Sequence, residues 1–421
     1  MTLRQQFEIP KKYNTVSLVL MALGLLSVII LFITHGASSD NHESARFYAS
    51  LLTNSVYFLL ITNAAMFFIC ATTLAWGGWQ KSFARVTEAV STCVPVISII
   101  VLVVLIALIF GGNHVIYHWT DTHHVQEDPV LSAKVGFLNK PFFIIVTILT
   151  LLGWWLLGKK MRSISRSIDN RPLSVEEGKK FIWNSTVWAA LYAVLFGLTV
   201  LSSIPWLWLM SIDAHWYSTM YSWYTFASSF VAGIALITLF VVYMKNNGYL
   251  ELTTKEHIHD LGKFMFAFSI FWTYLWFSQF MLIWYANIPE ETVYFKPRVQ
   301  GPYRTIFFLN LIINFLAPLL ILMKRVSKRN YGTITMMAAL IIFGHWLDFY
   351  QMVMPTSAQH MVTTSDGKQV LETYVPNILP DLGIGLGFVG LIMFVTARSL
   401  AKHPLIAKNH PFLKESIIHH T

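Results

Sequence analysis

Ionisable side chains at the ends of apolar segments are the residues of this sequence that could carry chemistry. The stretch GHWLDFYQMVMP at 344–355 follows a long apolar run and contains His345 and Asp348, three positions apart. In a helix these two residues lie on one face. A histidine beside a carboxylate can titrate near neutral pH, which suits the acceptance and release of protons. The alternative interpretation is a hydrated helix end at which such residues carry no function.

Three further ionisable residues are expected at a similar depth. Asp213 and His215 belong to the short turn MSIDAHWYSTMY at 210–221, and Asp381 lies at the start of the last apolar segment. Asp348 stands about 25 Å from the start of its own helix, at 1.5 Å per residue. All five residues would then share one layer, near the membrane surface opposite the chain termini. We predict that they are candidates for the outer end of a proton route.

A second set of polar residues follows the seventh apolar segment. Five of its side chains fall within about 60° of one another at 3.6 residues per turn; they are Asp260, Lys263, Tyr274, Ser278 and Tyr285. Charged groups in an apolar helix usually face a bundle interior and have a partner there. The pattern predicts a proton route from Asp348 along this stripe to Lys263 and Asp260. The alternative is ordinary hydrogen bonding between helices.

The composition indicates that these residues belong to a membrane protein. Hydrophobic residues make up 55% of the 421 and charged residues 12%, whereas soluble domains carry about 25% charged residues. Ten apolar runs approach the length of about 20 residues that crosses a bilayer; they cover 15–34, 52–76, 88–110, 141–158, 186–210, 217–244, 261–286, 303–323, 331–350 and 378–399. The sequence therefore predicts an all-α, polytopic membrane protein. It forms a single transmembrane domain over 1–421, with tails at 1–14 and 400–421.

Basic residues are distributed unequally between the two ends of these segments. Of the 30 Lys and Arg residues, 23 fall on the side of the chain termini. Loops rich in Lys and Arg stay in the cytoplasm, so both termini are expected there. The net charge of +9 then reflects topology and contact with anionic lipid headgroups. It does not indicate a nucleic-acid partner.

No motif for a metal or nucleotide cofactor is present in the sequence. Cys70 and Cys93 stand alone in separate apolar segments, so the chain by itself lacks the cysteines for a c-type haem or an iron–sulfur cluster. A pair such as His114 and His118 could bind zinc on a helix. Together with His123 and His124, however, it lies in a polar loop. We predict that this histidine-rich loop binds no metal.

Three glycines mark one side of the last apolar segment. Gly383, Gly387 and Gly390 lie on adjoining turns, and small residues in this arrangement let two helix backbones approach closely. We predict that this side packs against a neighbouring helix or subunit and does not face lipid.

Three motifs together resemble a known family. MSIDAHWYSTMY at 210–221, FMLIWYANIPEE at 280–291 and GHWLDFYQMVMP at 344–355 are similar to motifs of the F-type subunit of bacterial alternative complex III. That subunit is one of two NrfD-like (polysulfide-reductase-type) membrane subunits in the complex. The resemblance extends over essentially the whole chain, although the family has a proline where this chain has Ala214. It implies two four-helix bundles, formed by helices 2–5 and 6–9, with helices 1 and 10 at their flank.

The resemblance also implies a function in a respiratory electron-transport complex of the bacterial inner membrane. The complex would be a quinol:cytochrome c or quinol:oxidase oxidoreductase. The implied partners are multihaem and monohaem c-type cytochrome subunits, an iron–sulfur subunit, a homologous NrfD-like membrane subunit, a haem–copper oxidase and lipids. Haem c and the iron–sulfur clusters would belong to those partners. This chain would supply a proton-conducting path and a scaffold next to the quinol site, and would not be catalytic alone.

Other functions remain open at this point. The chain could bind quinone or menaquinone itself, or it could be a purely structural membrane subunit. A ten-helix chain with intramembrane Asp and Lys could also be a secondary transporter, although such proteins place their site at mid-depth between interrupted helices. The sequence suggests acids near the membrane surfaces instead.

Overall fold

The computed structural model describes residues 6–38, 40–169, 171–363 and 369–420, with only the backbone for 360–363 and 369–371. Within these residues, ten helices are long enough and apolar enough to cross a membrane. They confirm the predicted all-α, multi-pass architecture. Numbered in chain order as spans 1–10, they are Lys11–Gly36, Asn41–Leu74, Ala84–Phe110, Lys140–Arg166, Val175–Asp213, Thr219–Asn246, Lys255–Ala286, Arg304–Leu322, Tyr331–Ser357 and Leu379–Lys402.

Both ends of the chain lie at the same end of the spans. The amide of Gln6 donates a hydrogen bond to the carbonyl oxygen of Ala401 at 2.5 Å. The C-terminal segment then folds back onto the loop after span 2, where the Gly78 N–H donates to Glu415 at 2.9 Å. We call this end of the molecule the terminal side and the opposite end the far side.

Two closed four-helix bundles form the body of the molecule. Span 2 packs against spans 3 and 5, and span 4 packs against the same two helices, which closes bundle A (spans 2–5). Span 6 packs against spans 7 and 9, and span 8 does the same, which closes bundle B (spans 6–9). Span 2 also contacts spans 6 and 9 and so joins the bundles. The predicted division into two bundles is confirmed.

Spans 1 and 10 pair with each other beside the bundles, along the glycines of span 10. A Cβ atom added to Gly387 would lie 2.7 Å from the Cα of Gly24, and one on Gly390 would lie 2.7 Å from the backbone oxygen of Ser17. A Cβ on Gly383 would overlap the hydroxyl of Ser27. The prediction that this side packs against a neighbouring helix is therefore confirmed.

Short elements cover the far side. An antiparallel pair of strands, β1 (Gln359–Thr363) and β2 (Gln369–Thr373), follows span 9. The short helix Lys296–Val299 carries Arg298, whose Nε donates to the carbonyl oxygen of Gln351 at 2.9 Å. That carbonyl has no intrahelical donor because Pro355, four residues on, lacks an N–H. The guanidinium of Arg298 also stacks on the ring of Tyr294 at 3.6 Å.

Candidate functional site

A carboxyl group lies in the interior of bundle B, where all four of its helices meet. The Asp348 side chain is fully buried. One of its oxygens, Oδ1, accepts a hydrogen bond from the hydroxyl of Tyr224 in span 6 and another, at 2.9 Å, from the amide of Asn310 in span 8. The other oxygen, Oδ2, accepts from Ser228 in span 6 at 2.8 Å and from the indole of Trp272 in span 7 at 2.9 Å.

His345 completes this group, which we call the Asp348 cluster (Tyr224, Ser228, Trp272, Asn310, His345 and Asp348). The Ser228 hydroxyl lies 2.9 Å from Nδ1 of His345 and 2.8 Å from the Asp348 carboxylate. The direct separation between the imidazole and the carboxylate is 3.8 Å. Ser228 therefore bridges the two ionisable groups. The order differs from that of a hydrolytic triad, in which the histidine stands between the serine and the carboxylate.

The backbone of spans 8 and 9 is adapted to this close packing. Asn314 lies in the π-helical turn Ile312–Leu316, a type of irregularity that is frequent at functional sites. Its amide donates to Oδ1 of Asn310 at 2.5 Å and so extends the network by one turn toward the terminal side. A Cβ atom at Gly344 would lie 2.1 Å from the side-chain oxygen of Asn314. Only glycine lets the two helices approach this closely at position 344.

Chemically, the cluster can hold a proton or release it. Buried charged groups are costly unless hydrogen bonds compensate, and the Asp348 carboxyl accepts four of them. The hydroxyls of Tyr224 and Ser228 can also turn and accept a hydrogen bond, which accommodates the protonated acid. Nε2 of His345 is buried and has no hydrogen-bond partner within the described part of the chain. The cluster thus offers a second nitrogen, on the side away from Ser228, that can bind or release a proton.

The predicted layer of five residues divides into three separate places in the structure. His345 and Asp348 are together, as their spacing predicts. Asp381 instead accepts two hydrogen bonds from the guanidinium of Arg46, the first at 3.0 Å from Nη1 and the second from Nη2. Both side chains of this pair are buried, and it fastens span 10 to span 2. The structure thus gives Asp381 an ion pair with Arg46 and no bond to the Asp348 cluster.

Asp213 and His215 occupy the third place, at the far-side surface. Nε2 of His215 lies 2.5 Å from Oδ2 of Asp128, and half of the His215 side chain is exposed. The hydrogen bond from His215 lowers the pKa of the Asp128 carboxyl. Asp213 is half-buried nearby. Within the described residues, neither Asp213 nor His215 bonds to Asp348.

The polar stripe of span 7 does not line the interior of bundle B. Tyr274 is 62% exposed and Tyr285 is 85% exposed, both on the outside of the chain, while Ser278 is half-buried. The side chain that reaches the Asp348 carboxylate from this helix is Trp272. The predicted route through Tyr274 in the interior of bundle B is therefore wrong, because the Tyr274 side chain lies on the outside of the chain.

At the terminal-side end of the stripe, the predicted partners do meet. Lys263 Nζ lies 2.7 Å from Oδ1 of Asp260, and His419 Nε2 lies 2.7 Å from Oδ2 of the same carboxylate. The imidazole of His257 is 5.3 Å from that of His419, between ring centres. The C-terminal segment thus supplies a partner for Asp260 that the helical pattern of span 7 could not indicate.

Sequence reasoning missed two donors of the Asp348 cluster. Trp272 and Tyr224 were not distinguished from the other aromatic residues, although Tyr224 precedes Ser228 by one helical turn and so shares its face. Asn310 and Asn314, one turn apart, were visible as polar residues in an apolar run. Only the fold shows that they lie beside a carboxylate.

The histidine-rich loop is the other candidate site. His114 Nδ1 lies 2.6 Å from the Thr120 hydroxyl, and the rings of His118 and His124 are 6.1 Å apart. Among the residues that the structure describes, no group of three His, Cys, Asp or Glu side chains is arranged to hold a metal ion. Burial lowers the pKa of His118, which favours its neutral imidazole.

No protein-family model matches this chain, and no curated protein matches its sequence.

Proposed function

We propose that this chain is a membrane subunit of a respiratory quinol-oxidising complex, and that the Asp348 cluster holds a proton on a path through bundle B. The observation that carries the proposal is a fully buried carboxyl group bound by donors from span 6, span 7 and span 8. Ionisable residues inside a membrane domain are rare and mark proton or substrate paths. The haem and iron–sulfur centres of such a complex would be supplied by partner subunits.

The proposed path has a direction along span 9. From Asp348, a proton would pass by way of the Ser228 hydroxyl to Nδ1 of His345, one helical turn closer to the terminal side. Nε2 of the same ring is then the atom from which it would leave. We further propose that the terminal side is cytoplasmic, because 23 of the 30 Lys and Arg residues lie on the side of the termini and such loops stay in the cytoplasm. The membrane would be a bacterial inner membrane, as the family resemblance implies.

A second candidate function is quinone binding by the chain itself. An apolar cleft of about 1000 Å³ opens between spans 1, 2, 6, 9 and 10, at the upper end of the volumes of ligand pockets. Trp346 lines it and donates to Asn54 at 2.9 Å. Because Trp346 adjoins His345 in the sequence, a quinol in this cleft would be near the proposed proton path. A long isoprenoid chain would suit the apolar walls.

The test is Asp348→Asn in the complex isolated from its natural membrane and reconstituted into liposomes. The amide keeps the shape of the side chain but cannot exchange a proton. We expect quinol oxidation to continue while proton release per electron falls. The matched control is Glu290→Gln, which makes the same chemical change at an exposed position of the far side.

Three results would speak against this function. If Asp348→Asn releases protons as wild type does, the cluster is structural. If no haem or iron–sulfur absorbance copurifies with the wild-type chain, the respiratory assignment fails and a secondary transporter becomes the better reading. If quinol oxidation itself stops in Asp348→Asn while the protein stays folded, the quinone-binding alternative gains.

A further inference from the structure

A small, partly open cavity lies at the terminal-side end of bundle A, away from the Asp348 cluster. Its volume is about 50 Å³, and spans 2–5, the loop after span 2 and the C-terminal segment line it. Four charged residues line it, namely Lys81, Arg85, Glu88 and Arg162. His410 and Phe412 cover it from the C-terminal segment.

The charges around this cavity do not balance. Arg85 pairs with Glu88 at 3.0 Å and with Asp169, and a third carboxylate, Glu415, accepts a hydrogen bond from the Gly78 N–H at 2.9 Å. Arg162 donates to the Ser91 hydroxyl at 2.9 Å and pairs with no carboxylate that the structure describes. Lys81 is only 8% exposed. Within the described residues, its ammonium group makes neither an ion pair nor a hydrogen bond. Lys81 and Arg162 are therefore two buried cations without a carboxylate in direct contact among the described residues.

Buried charges in proteins are normally paired, because an isolated one loses several kcal/mol of hydration. Two cations without a paired carboxylate at one cavity therefore indicate that an anion binds there. A cavity needs about 10–15 Å³ of volume to hold one water molecule. This cavity therefore has room for only a few atoms of that size. Burial lowers the pKa of Lys81 to about 8, against the opposing effect of Glu88; the group still carries its charge at neutral pH.

We propose that this cavity binds a phosphate group between Lys81 and Arg162. The group belongs either to inorganic phosphate or to the headgroup of an anionic phospholipid, since the cavity is at the end of bundle A and beside the exposed indole of Trp76. Arginine and lysine are the usual ligands of phosphate oxygens. The inference does not depend on the proton path in bundle B.

Two measurements on the purified protein distinguish the sources. Equilibrium dialysis with radiolabelled inorganic phosphate detects the free anion. Native mass spectrometry after incubation with phosphatidylglycerol vesicles detects a bound lipid. In the Lys81→Met variant we expect binding to fall about tenfold or more, as befits the loss of one charge-assisted contact to a buried anion. Lys408→Met, an exposed lysine of the C-terminal segment, should bind as wild type does.

The outcomes decide the proposal whatever the source. Binding of phosphate or of lipid by wild type, weakened in Lys81→Met and again in Arg162→Gln, supports it and names the ligand. If Lys81→Met does not fold, Arg162→Gln still tests the proposal. Absence of both ligands from wild type, or an equal loss in Lys408→Met, overturns it.

Discussion

The buried ion pair between Arg46 and Asp381 gives the sharpest prediction about stability. The carboxylate accepts two hydrogen bonds from one guanidinium, and Nη2 of Arg46 also donates to the carbonyl oxygen of Asn377 at 3.1 Å. Replacing Asp381 with Leu would leave a buried cation with only neutral partners. Loss of one partner of such a pair costs about 3–5 kcal/mol in the free energy of unfolding. We expect Asp381→Leu and Arg46→Met each to cost that much.

The double variant separates an ion pair from two independent side chains. In Arg46→Met with Asp381→Leu, no buried charge remains, and the apolar replacements can pack against each other. Its cost should be near zero and at most about 1 kcal/mol, because apolar replacement of a whole buried pair is often neutral. The assay is unfolding in mild detergent by titration with a denaturing one, followed by tryptophan fluorescence. Additive costs, or single variants within about 0.5 kcal/mol of wild type, would refute this reasoning.

Three further predictions concern other elements. Gly387→Leu should lower the free energy of unfolding by more than about 1–3 kcal/mol, because even a Cβ would lie 2.7 Å from Gly24; a thermal melt with normal stability would contradict it. Arg298→Ala should cost about 1.5–3 kcal/mol by leaving the Gln351 carbonyl unpaired, and protease resistance of the far side should fall with it. Tyr274→Phe should leave proton release at wild-type levels, because that hydroxyl lies outside bundle B; a loss like that expected in Asp348→Asn would restore the route along span 7.

The number of spans could be predicted from sequence because a bilayer imposes one length on every crossing helix. A backbone in lipid must satisfy its own hydrogen bonds, so each long apolar run becomes a helix. The face that packs against a partner is harder to predict. The packing face of span 10 could be predicted from Gly383, Gly387 and Gly390, because small residues permit contact between backbones. The structure shows this contact with span 1.

The inward face of span 7 could not be predicted in the same way. Lipid and bundle interior are both apolar, so a polar stripe gives the direction of a face but not whether it faces a neighbour. Tyr274 points outward, and Trp272, two residues earlier, reaches the Asp348 carboxylate. An indole that donates one hydrogen bond has no distinguishing mark in a sequence rich in aromatic residues.

Depth in the membrane was a similarly incomplete guide to the site. Counting residues placed Asp381 and Asp348 at one level, but it carried no lateral information. Arg46 lies 335 positions before Asp381, and the sequence marks it only as one of the basic residues on the side opposite the termini. In the structure it is the partner of Asp381, and both side chains of the pair are buried away from the Asp348 cluster.

The two bundles hold different ionisable groups, and this difference is the reason why we propose the proton path in bundle B. Charged residues of bundle A line the cavity at its terminal-side end. Elsewhere in its interior, the buried Tyr192 hydroxyl donates to Asn63, and Trp154 donates to Thr199 at 3.1 Å. Such contacts between neutral side chains can hold helices together as firmly as contacts between charged side chains. Bundle B instead retains a carboxyl group and an imidazole, which cost more to bury and add no packing advantage. What Asp348 and His345 add is the ability to change charge, and that property is useful to a path for protons.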